Sequence, residues 1–110
     1  MKVLYFENGP IAQVKTLPGE RPEAELEELL GGETELRPLS RRLTMAVRRD
    51  GEAQGLPRRY AVTCMGRAPE TVAGPVAVLA VGPGGVLRDM DRKLCADVPV
   101  LMCALDPEAG

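Results

Sequence analysis

The strongest constraint in this sequence is Pro75-Val76-Ala77-Val78-Leu79-Ala80-Val81, an apolar run without polar alternation. Successive side chains of a strand point to opposite faces. This strand therefore has no face for water and must lie centrally in a sheet covered on both sides. A sheet and two covers have to come from 110 residues, enough for one domain and not for two. One cover is legible. Within Pro22–Leu30, Leu26, Leu29 and Leu30 fall at i, i+3 and i+4, a single apolar stripe on a helix. Pro22 suits the first helical position, the glutamates of the first turn favour the positive end of the helix dipole, and Gly31 is a natural stop. The second cover has two readings. It is either the C-terminal segment Leu94–Leu105 or a second copy of the chain in a symmetric homodimer. Left bare, the face would be an apolar patch that soluble monomers rarely tolerate.

Turn signals divide the rest. Val3–Phe6 and Ile11–Val14 flank Asn8-Gly9, the preferred pair for a two-residue hairpin turn, although Pro10 removes a ladder donor. Glu33–Leu39, Leu43–Val47 and Tyr60–Cys64 read as strands, with Arg49–Glu52 a turn and Gly66 ending the last of them. Pro83-Gly84-Gly85 turns the chain, Asp89 caps a short helix through Ala96, and Pro99–Leu105 is extended. The domain then spans 1–105, and 106–110 frays. The sum is an α+β fold with a mostly antiparallel or mixed sheet of about five to seven strands. It carries one clear helix and a short C-terminal one.

The sequence removes several chemistries. It has no His, and so lacks the commonest general base and the commonest metal ligand. Cys64, Cys95 and Cys103 cannot all pair, form no Cys-x-x-Cys, and sit among apolar neighbours. They read as reduced, at least partly buried thiols and not as a metal site. Gly82-Pro83-Gly84-Gly85 lacks the Lys-Ser/Thr of a phosphate loop and the spaced glycines of a dinucleotide fingerprint, so neither cofactor nor catalytic set is assigned. The N-terminus turns acidic before a signal-peptide core can form, and Val72–Val81 is half a membrane span. A cytoplasmic, membrane-free protein is expected.

Charge is segregated. Residues 20–35 carry seven Glu against one Arg, and 37–67 carry eight Arg against one Asp and one Glu. If Leu43, Met45 and Val47 point inward, Arg42 and Arg48 point outward on one face, about 20 Å apart at about 3.3 Å per residue. That suits an extended polyanion or an acidic protein surface better than one small phosphate. The candidate binding surface is Arg41, Arg42, Arg48, Arg49, Arg58 and Arg59. Solvation, or pairing across the fold with the acidic block, is the plainer reading. The total is acidic and no aromatic residue lies between Arg41 and Arg59, as single-strand binding would want.

Three stretches in order, Leu30–Leu39, Asp50–Arg59 and Val72–Leu79, together with the start Met1-Lys2-Val3, resemble a family of short bacterial proteins, also carried by phages and plasmids, known as a domain of unknown function. The resemblance spans roughly residues 1–90. It implies no activity, cofactor or catalytic residue, and it suggests a mobile-element setting. The first functional expectation is a non-catalytic accessory or protein-interaction module with an unidentified protein partner. The alternative is nucleic-acid binding through the arginine strand. A third is an enzyme using carboxylates or Cys64, which would lack an imidazole partner.

Overall fold

The computed structural model describes residues 1–7, 9, 11–51, 54–56 and 58–105, with the backbone alone at 58 and 100. Among these residues it shows an α+β domain with nine strands in two antiparallel sheets and two α-helices. The strands are β1 (Lys2–Phe6), β2 (Gln13–Thr16), β3 (Thr34–Pro38), β4 (Leu43–Arg48), β5 (Arg58–Val62), β6 (Glu70–Ala73), β7 (Val76–Val81), β8 (Leu87–Arg88) and β9 (Met102–Ala104). Helix α1 spans Pro22–Leu30 and α2 spans Arg92–Leu101. The larger sheet runs β2-β1-β7-β4-β3, with β8 pairing antiparallel with the end of β7; the smaller runs β6-β5-β9.

The apolar run is β7, and it lies between β1 and β4 as its pattern requires. Val76, Val78 and Ala80 face the small sheet and α2, while Ala77 and Leu79 face α1. All five are fully buried. Ala46 and Ala77 are directly opposite each other, and their small side chains let Leu26 and Leu30 of α1 seat on the sheet. Each fully buried leucine contributes about 1.5–3 kcal/mol. The helix stops at Gly31, whose φ of 87° is left-handed and whose N–H donates to the Glu27 carbonyl at 2.8 Å. At its start Arg21 offers no side-chain cap. The Glu25 carboxylate reaches back instead, accepting from the N–H of Gly19 and of Arg21 at 2.7 and 2.9 Å.

The second face of the sheet is covered from within the chain. Tyr60, Val62 and Val72 of the small sheet, with Leu94, Val98 and Met102 of the C-terminal segment, pack on it. The segment reading therefore accounts for part of the cover and the small sheet for the rest. The apolar face gives no reason for a second copy.

Several local expectations shift. The β1–β2 hairpin forms, but its register sets Tyr5 opposite Gln13, so the connection is longer than a two-residue turn. Asn8 and Pro10, like Glu52 of the next expected turn, lie outside the described residues. The strand expected at Tyr60–Cys64 is β5, two residues earlier, and the short β6 and β8 have no counterpart among the expected strands. Asp91, not Asp89, caps α2 by accepting from Leu94 N–H at 2.9 Å. Asp89 accepts instead from Lys2 N–H at 3.0 Å, tying the chain after β8 to β1. The helix does not end at Ala96 but runs to Leu101 with Pro99 inside it. Leu94, Val98 and Leu101 form an i, i+4, i+7 stripe on the core, and its burial outweighs the hydrogen bond that Pro99 cannot donate.

Candidate functional site

The arginines singled out in the sequence stand in different settings. The face of β4 opposite Leu43, Met45 and Val47 lies under α1, where Thr44 and Ala46 are buried. Arg48, at its end, is bound by Asp50 through two contacts of 3.0 and 3.3 Å, and holds that carboxyl below the usual carboxylate range. Its guanidinium lies flat on Gly32, where a Cβ would come within 2.7 Å of it. Arg49 pairs with Glu33 at 3.7 Å. Arg37 is held by Glu35 and by Glu70, the latter at 2.7 Å. Arg59 donates to the Glu7 carbonyl, and the side chain of Arg58 lies outside the described residues. The acidic and basic blocks thus meet in part where they adjoin, Glu33 pairing with Arg49 and Glu35 with Arg37, while Arg48 is compensated from within the basic block by Asp50.

Arg41 and Arg42 remain. They stand before β4 and are exposed, and the structure brings to them two cations that the sequence reading did not single out, Arg88 of β8 and Lys93 of α2. The four line a cleft of about 410 Å³ with Asp91 and Asp97. No local motif signals this group, because its members meet only through the β7–β8 pairing and the docking of α2.

A larger cavity, about 650 Å³, opens on the other side of α2 between the two sheets. Leu4, Phe6, Ala12, Tyr60, Val98 and Met102 give it apolar walls, and Cys95, Cys103 and Leu105 complete its mouth. Tyr60 anchors it. Its ring meets Phe6 edge-on, with centroids 5.8 Å apart at 72°, and its hydroxyl donates to the Gly9 carbonyl at 3.0 Å. Edge-to-face geometry suits the ring quadrupoles. Sequence patterning shows each wall residue as core material, and nothing in it shows that the packing stops short of closure here.

The thiols differ in setting. Cys64 is buried and donates weakly to Glu70 at 3.9 Å; burial first, then the Glu70 charge, pushes its pKa up. Burial also raises that of the half-exposed Cys95. Neither is tuned toward the thiolate that nucleophilic attack needs. Cys103 is exposed, which corrects the expectation that all three are at least partly buried: its side chain alternates away from the core between buried Met102 and half-buried Ala104 on β9. Thiol titration of the native protein should therefore show one fast site at Cys103 and one at Cys64 that reacts only on local opening. Equal rates at the three would contradict the packing described.

Among the described residues no three Cys, Asp or Glu side chains gather where a metal ion could be held, and no helix is long and apolar enough to cross a membrane. Comparison of the chain with protein-family models, curated proteins and solved structures finds no match.

Proposed function

We propose that this protein is a non-catalytic accessory module that acts by binding, and that it takes the apolar part of a small molecule into the cavity between β1, β5, α2 and β9. The cavity carries the reading. At about 650 Å³ it falls in the range of small-molecule sites, which are concave, mostly apolar and furnished with few polar groups. Its main polar group, the Tyr60 hydroxyl, is already committed to Gly9, so selectivity would come from shape and apolar contact. The resemblance to the bacterial, phage and plasmid family supports an accessory role in a mobile-element setting as part of the same proposal.

The test is titration with Nile red, a neutral apolar fluorophore, followed by its emission shift. Saturable binding at one site is expected. Ala104→Trp, which projects an indole from the cavity wall, should weaken it about tenfold or more, since about 1.4 kcal/mol of lost apolar burial suffices. Unchanged circular dichroism would show the fold intact. Binding that never saturates, or that Ala104→Trp leaves untouched, would remove the cavity as the site.

A further inference from the structure

We propose that the cleft between the turn before β4, β8 and α2 binds a small phosphomonoester that also carries hydroxyl groups, such as a sugar phosphate or a nucleoside monophosphate. This inference is independent of the apolar cavity, although α2 is the common wall of both: Cys95 and Val98 face the cavity, while Lys93 and Asp97 face the cleft.

The first observation is charge left uncompensated. Arg37, Arg48 and Arg49 each have a carboxylate within ion-pair distance. Among the described residues Arg41, Arg42, Arg88 and Lys93 have none, even though Asp91 and Asp97 line the same cleft. One Asp91 oxygen is committed to capping α2. Four cations against two carboxylates leave an excess of two positive charges, which complements the roughly −1.5 to −2 of a phosphomonoester near neutral pH. Guanidinium groups match phosphate oxygens through paired N–H donors.

The second observation is that one of these arginines is held in place. A Cβ at Gly82 would stand 3.0 Å from Cδ of Arg88, so the stem of Arg88 lies directly on the Gly82 backbone. The φ of Gly82 is −95°, which other residues adopt freely. A side chain there would be accepted by the backbone but would push the Arg88 stem aside by a few tenths of an ångström. On the opposite wall the Arg42 carbonyl accepts from Val81 N–H at 2.8 Å, fixing the base of that side chain to β7. Both arginines therefore start from fixed positions, which lowers the ordering cost of gripping an anion.

The third observation selects a small ligand over a polymer. The cations converge on one cleft of about 410 Å³, and Asp91 and Asp97 stand among them. Carboxylates are acceptors for hydroxyls, so the same wall that repels a polyanion suits the sugar of a phosphate ester.

Calorimetric titration at low salt, with ribose 5-phosphate and adenosine 5′-monophosphate as probes, tests this. One-site binding of at least one probe is expected, with ribose giving none. Arg42→Gln with Arg88→Gln should weaken it about tenfold or more, the scale of a charged hydrogen bond. Gly82→Ala, which leaves every charge in place and displaces Arg88, should weaken it in the same direction. Arg67→Gln, an exposed arginine that does not line the cleft, should not. Three results would overturn the proposal: no probe binds at millimolar concentration, the double variant keeps full affinity, or a twelve-nucleotide single strand binds while neither small probe does. The last, with a steep salt dependence, would favour a nucleic-acid surface.

Discussion

A chain ending at Ala96 is expected to lose its cooperative melting transition and to bind an apolar dye such as anilinonaphthalene sulfonate. The cut leaves α2 with Arg92–Ala96, too short a helix to persist in water. It removes β9 from β5, where Ala61 is paired with Cys103 and Val62 with Met102. It also strips Val98 and Met102, both almost fully buried, from the face of the large sheet that carries Leu4, Phe6, Met45 and Val78. At about 1.5–3 kcal/mol for each fully buried side chain, those two alone amount to about 3–6 kcal/mol. A domain of this size has about 5–15 kcal/mol in total, before the lost strand pairing is counted. Thermal unfolding by circular dichroism, with dye fluorescence beside it, decides the matter. A shortened chain that melts sharply near the full-length temperature would show that the C-terminal segment is not a cover.

Tyr60 carries the second large effect. Its side chain is fully buried, packs edge-on against Phe6 and hydrogen-bonds Gly9 across the fold. Tyr60→Ala should cost about 3–5 kcal/mol of unfolding free energy, toward the lower end because the space left opens into the adjoining cavity, where water can enter. Tyr60→Phe keeps the ring and its contact with Phe6. It loses one hydrogen bond, about 1 kcal/mol, and the half-exposed Gly9 lets water take up the freed carbonyl. Urea unfolding of both variants separates the contributions. Comparable losses would mean that the hydroxyl and not the ring holds the two sheets together there.

The two variants also bear on binding. If the cavity holds an apolar ligand, that ligand should protect Tyr60→Phe from unfolding, because folded-state binding adds to stability by mass action. It should protect Tyr60→Ala differently, since that wall has changed shape. Neither variant touches Arg42 or Arg88, and the phosphomonoester cleft should respond to neither.

The sequence by itself determined the elements whose causes are local. The uninterrupted apolar run of β7 demanded two covers, the leucine spacing of α1 supplied one of them, and Gly31 ended that helix as its left-handed φ requires. Period and capping act over a few residues, so they can be read along the chain. The stripe of Leu94, Val98 and Leu101 is equally local, and in the fold its burial carries α2 through Pro99 despite the hydrogen bond that proline cannot donate. Only the tertiary structure decided the sites. Arg48 was indistinguishable from Arg42 in the sequence, yet one is bound to Asp50 against the end of α1 and the other lines a cleft with no ion-pair partner among the described residues. Tyr60 and Val98 look like ordinary core residues until the two sheets are seen to part beside them. Charge compensation and empty volume depend on which distant residues meet, and the packing of whole elements sets that, with no signal at any one position.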